Sequence, residues 1–121
     1  MFLLSPTPHS FMTLDETVNQ TIADFCGCGF HDSAANHCAH FVSHFLGLQF
    51  GMTCRALTGR GSPGANVRVQ EIFAQCPEVG RLSAWSGGRV LAFVTAKANV
   101  DLARKTMRNM PKKHIGILVG Q

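Results

Sequence analysis

Apolar positions recur at helical spacing in three stretches of the chain and cluster as strands in two others. Leu14, Val18, Ile22 and Phe25 make one stripe, and Thr13 with Glu16 forms a T-x-x-E capping box, so a helix is predicted over 13–25. Cys26-Gly27-Cys28-Gly29 breaks it. Cys38, Phe41, Val42 and Phe45 stand at i, i+3, i+4, i+7, which predicts a second helix starting near Ser33 or Asn36 and stopping at Gly47. Its opposite side carries His37, His40 and His44. The stretch 47–65 is rich in Gly, Thr and Ser and reads as a long loop with a short strand near 50–54. Asn66 can cap a third helix with Val69, Ile72, Phe73 and Cys76 on its inner face and Pro77 after its end. Val90, Leu91, Phe93 and Val94 predict a buried strand over 89–95, 100–110 reads as a basic helix capped by Asn99, and His114-Ile115-Gly116-Ile117-Leu118-Val119 as a final strand. Residues 1–12 read as an irregular leader, so the expected organisation is one α+β domain over 13–121.

Composition narrows the function classes. With 45% hydrophobic and 15% charged residues the 121-residue chain has enough apolar surface for a core. No apolar run approaches the roughly 18–20 residues of a membrane span, and Met1-Phe2-Leu3-Leu4 runs at once into Ser5-Pro6-Thr7-Pro8, without the parts of a signal peptide. A cytoplasmic site, or export without a classical signal, fits this. The net charge of +4 is uneven: residues 1–54 carry −4 and residues 55–121 carry +8. The basic half has no dense Lys/Arg run with interleaved aromatics and the chain has no Tyr, so a solvated basic face is a better reading than nucleic-acid binding. The five cysteines are odd in number and point to reduced thiols.

Asn36-His37-Cys38-Ala39-His40-Phe41-Val42 is the most informative segment. It sets a cysteine in the first turn of an amphipathic helix, where free N–H groups and the positive dipole end stabilise a thiolate. His114, directly after Lys112 and Lys113, is the candidate partner base. N-H-C-A-H-F-V-S, followed roughly seventy residues later by K-K-H-I-G-I, resembles the NlpC/P60 and CHAP group of papain-like cysteine peptidases and amidases. The resemblance covers 33–121 and implies a papain-like core with helices on a small antiparallel sheet, Cys38 as nucleophile and His114 as base. It also implies a thiol hydrolase that cleaves an amide bond, with peptidoglycan peptides as the substrate class. No cofactor and no metal ligand belong to that reading. The chain departs from the family in having His37 where Asp is usual, and it stops at Gln121, before a strand that would carry the residue orienting the histidine. His31, Asp32 and Asn36 are the candidates left for that role, and the expectation is a weak enzyme, or an inactive truncated domain.

The competing reading is a zinc-binding module. Cys26, Cys28, His31, His37, Cys38, His40 and His44 crowd into nineteen residues, and His40 and His44 share a helix face at i, i+4. C-x-C is not the usual zinc spacing and no second ligand pair follows, which ranks this reading second. Gly59-Arg60-Gly61-Ser62-Pro63-Gly64 matches G-x-G-x-x-G, but without a βαβ setting it reads as a loop.

Overall fold

The computed structural model describes residues 2–3, 14–32, 36–61, 64–81 and 88–119. The described residues form a small α+β protein with four α-helices and two small antiparallel sheets. The chain divides into two compact units, one of Pro6–Arg68 and one of Met1–Ser5 with Val69–Gln121. No helix among the described residues is long and apolar enough to cross a membrane.

The unit Pro6–Arg68 holds three of the helices: α1 (Ile22–Phe25), α2 (Cys38–Leu46) and α3 (Cys54–Thr58). The helix expected over 13–25 is shorter than its apolar spacing suggests. A 3-10 turn at Asp15–Thr17 comes first, then Asn19 takes a left-handed φ of 68°, which ends any helical run. The Thr21 N–H donates to the Asp24 carboxylate at 2.7 Å and α1 starts there. A second T-x-x-acid pattern, eight residues nearer the Cys-Gly-Cys-Gly segment, thus supplies the start, while Thr13 lies outside the described residues. Val18, expected in the buried stripe, is exposed.

Helix α2 ends as expected, with Gly47 left-handed at φ 74° and its N–H donating to the Ser43 carbonyl. Val42, Phe45 and Leu46 are buried on it. Beyond it, the described residues of 47–65 hold more regular structure than a loop. Thr53 Oγ1 accepts from the Ala56 N–H and starts α3, and Gly59 closes α3 at φ 72°. A single antiparallel bridge joins Thr53 to Asn66, with Cys54 N–H donating to Ala65 O and Val67 N–H to Met52 O. Asn66 is fully buried and satisfied: its Nδ2 donates to Phe50 O and its Oδ1 accepts from the Arg68 N–H. Cys26, Cys28, Cys54 and Ala65 form a small buried cluster under these turns, flanked by Ile22, Phe30 and Val67.

The other unit contains α4 (Val69–Ala74) and the strands β1 (Phe2–Leu3), β2 (Glu78–Val79), β3 (Arg89–Val94), β4 (Val100–Asp101), β5 (Thr106–Met107) and β6 (His114–Val119). The main sheet runs β2-β1-β3-β6, all antiparallel. The segment read as a leader therefore contributes a strand at Phe2–Leu3, pairing Phe2 with both Val79 and Leu91; residues 4–12 lie outside the described residues. Strands β3 and β6 pair over six residues, from Arg89↔Val119 to Val94↔His114, burying Val90, Leu91 and Ile115. Helix α4 buries Val69, Ile72 and Phe73 as its pattern predicts, with Phe73 5.2 Å from Phe93 of β3.

The basic helix expected over 100–110 does not form. A 3-10 turn at Lys97–Asn99 leads into a hairpin in which Val100 pairs with Met107 and Asp101 with Thr106. Asp101 Oδ1 accepts from the Arg104 N–H, Lys105 is left-handed at φ 54°, and Met107 is buried. An aspartate that captures a backbone N–H three residues on favours a turn over a helix with no continuous apolar stripe.

Gly61, in the Pro6–Arg68 unit, is sterically required by neighbouring backbone. Gly61 has φ +83°, and a Cβ there would run into the backbone of Gly27 and Cys28. Gly59 has φ +72° but open space around its Cβ position. Gly59→Ala is expected to cost about 1 kcal/mol of left-handed strain. Gly61→Ala is expected to cost clearly more, because backbone cannot move aside as a side chain can; urea unfolding of the two variants measures the difference.

Candidate metal centre

Burial inside the Pro6–Arg68 unit brings four side chains to one point. Cys26 follows directly on α1, His40 and His44 stand one turn apart on α2, and Cys54 opens α3. Their ligand atoms all lie within 4.8 Å of one another. His40 Nε2 is 3.2 Å from His44 Nε2, and Cys54 Sγ is 3.6 Å from His44 Nε2. Zinc–nitrogen bonds of about 2.0–2.1 Å and zinc–sulfur bonds of about 2.3 Å give tetrahedral edges of about 3.3 Å for N–N and about 3.6 Å for N–S. The two measured separations match such edges. His40 and Cys54 have no exposed surface, Cys26 is buried, and His44 is half-buried.

The electrostatics suit a cation. Burial first, then the neighbouring His44, His37 and His31 rings, lowers the His40 pKa to about 3, and burial lowers that of His44 as well. Both imidazoles are therefore neutral at physiological pH, the form that ligates metals. Cys54 is pushed up to about 12, chiefly by burial, with Cys28 and Cys26 adding to the rise and the Ala65 N–H opposing it. That N–H donates to Cys54 Sγ at 3.3 Å, a contact that would steady a thiolate once a metal displaced the proton. Cys76, in the other unit, is also pushed up to about 12 by burial, and its thiol donates to Ile72 O, the behaviour of an inert core thiol.

Of the seven Cys and His residues crowded into 26–44, the fold gathers Cys26, His40 and His44 into the set, and adds Cys54. Cys28 is buried beside Cys26 and Cys54 but outside the four. His31 Nε2 donates to Cys26 O at 3.0 Å. Cys54 was hidden from sequence reasoning because 47–65 reads as loop; the available signal was the His-x₃-His pair followed by a further cysteine ten residues on.

Cys38 is the first residue of α2 and is half-exposed, unlike the four buried cysteines; none of the five forms a disulfide. Its N–H, a candidate oxyanion donor, is taken by Asn36 Oδ1 at 3.1 Å. His114 is the exposed first residue of β6, in the other unit. The three candidates for orienting it all make contacts within their own unit: His31 with Cys26, Asp32 through its carbonyl with His37, and Asn36 with Cys38. No protein-family model, no curated protein and no solved structure matches the chain.

The lowered imidazole pKa values give a pH dependence of known sign. The unfolded chain protonates these rings below about pH 6.5, whereas folded His40 resists protonation until about pH 3. The unfolded state binds more protons in that window, so stability is full above about pH 6.5 and is lost as the pH falls toward 3. With a chelator present throughout, the urea midpoint is expected to drop between pH 6.5 and 4.5, and His40→Gln is expected to flatten that slope.

Proposed function

We propose that the Pro6–Arg68 unit is a structural zinc-binding module of Cys₂His₂ type, with Cys26, His40, His44 and Cys54 as ligands. The convergence of those four ligand atoms within 4.8 Å, with edges of 3.2 and 3.6 Å, carries this reading. A mixed sulfur and nitrogen donor set in tetrahedral arrangement suits zinc over magnesium or calcium, which take oxygen. Four protein ligands leave no open position for a water or substrate, which argues for a structural metal and not a catalytic one. The metal would tie α1, α2 and α3 together at a point where the apolar core is small. This reverses the ranking that spacing alone suggests.

Protein purified without chelator is expected to carry one zinc per chain by elemental analysis. Cys26→Ser and Cys54→Ser should lose it, Cys38→Ser and Cys76→Ser should keep it, and chelation should lower the melting temperature of the parent and of the two variants that keep the metal, but not of the two that lose it. Absence of zinc from the parent, or its retention in Cys54→Ser, overturns the assignment.

A second reading keeps one supporting observation: Cys38 is the cysteine that is not buried, and it opens a nine-residue helix. It is a papain-like thiol hydrolase acting on an amide bond, such as those of peptidoglycan peptides, with Cys38 as nucleophile and His114 as base. In that case iodoacetamide at pH 6 labels Cys38 before the other four, and Cys38→Ser and His114→Ala each abolish amide cleavage. Equal labelling of Cys38 and a thiol in free peptide removes this reading.

A further inference from the structure

The metal set leaves two histidines of the same cluster without a role, and one of them makes a contact that decides the chemistry of a ligand. His37 Nε2 lies 2.6 Å from the Asp32 carbonyl oxygen, and His37 Nδ1 lies 2.9 Å from His40 Nδ1. The carbonyl oxygen only accepts, so His37 Nε2 carries a hydrogen. A neutral imidazole with hydrogen on Nε2 has its lone pair on Nδ1. The short Nδ1–Nδ1 contact needs one hydrogen between its atoms, and with His37 neutral it is His40 that supplies it. His40, itself neutral, is then left with its lone pair on Nε2, the nitrogen that faces His44 and Cys54.

We infer that His37 is a positioning residue for the metal centre: the chain Asp32 C=O, His37, His40 fixes His40 as the Nδ1–H tautomer, so that its Nε2 lone pair is presented to zinc. The inference rests on the metal reading above. It is chemically specific because an imidazole has two tautomers and only one of them can ligate through Nε2. Metal-bound histidines commonly donate their other N–H to an oxygen acceptor; here a second imidazole takes that place and passes the demand on to a backbone carbonyl. Phe30 supports the geometry by packing on both rings, with centroids 5.1 Å from His37 and 5.3 Å from His40. The same side of α2 therefore carries a ligand pair, His40 and His44, and a brace one turn earlier at His37.

The test uses the full chain with ¹⁵N-labelled histidine. Two-bond couplings in long-range ¹H–¹⁵N spectra report the His40 tautomer, with and without zinc, and competition against a chromogenic chelator reports zinc affinity. The parent is expected to show His40 as Nδ1–H in both states. His37→Phe keeps the ring packed on Phe30 but removes the acceptor; it is expected to lose the fixed tautomer and to weaken zinc binding about 10- to 100-fold. His37→Asn, whose Oδ1 stands near the position of the lost Nδ1, is expected to recover most of that affinity, which a purely structural role would not produce. His40 found as Nε2–H in the metal-free parent overturns the inference, and that result needs no variant. Zinc affinity in His37→Phe equal to the parent's overturns it too, while leaving the metal centre standing. A parent that shows the Nδ1–H tautomer but binds no zinc refutes the metal reading instead.

Discussion

Two imidazoles and two thiols confined to one small space in the Pro6–Arg68 unit are the constraint around which that unit is arranged. Charged, the rings would repel each other at 3.2 Å with little water to screen them, so burial keeps them neutral. Neutral, they bring lone pairs together with few hydrogens to share. One divalent cation would resolve both problems, since it would accept the lone pairs and displace the thiol protons. The surrounding features serve that convergence. Helix α2 sets the two rings one turn apart, the Thr53 cap places Cys54 at the start of α3, and the turn after α1 delivers Cys26. Gly61 lets its loop lie directly against the Cys26-Gly27-Cys28 backbone.

Much of the fold was legible where periodicity and punctuation agreed. Helix α4, the Gly47 stop, and strands β3 and β6 follow from apolar spacing and a single well-placed breaker, whereas α2 forms with its buried face turned from the expected one: His40 is fully buried, and Cys38 and Phe41 only partly. The misreadings came from places where a short polar side chain outvoted the apolar pattern. Thr21 with Asp24 moved the start of α1, Thr53 made a helix of a loop, and Asp101 made a hairpin of a helix. Strand β1 was invisible because two residues have no period; it exists through pairing with residues 78–79 and 91. In the site, the i, i+4 histidines were legible, but Cys54 was not, since its partnership with them depends on the chain reversing between 47 and 53. The pairing of Cys38 with His114 rests on the order, spacing and element types of two short motifs and on the helix-start position of Cys38. These two residues belong to different compact units.

Cys28 gives the choice of ligands a further meaning. It is as deeply buried as Cys54 and sits in the same cluster, so a third sulfur is within the neighbourhood of the proposed metal. Two thiolates balance the double charge of zinc, and the Cys₂His₂ set is electrically neutral. Exchanging an imidazole for the Cys28 thiolate would leave one net negative charge in a medium that solvates charge poorly. In the proposed centre, charge balance would thus add to distance in leaving Cys28 outside the ligand set.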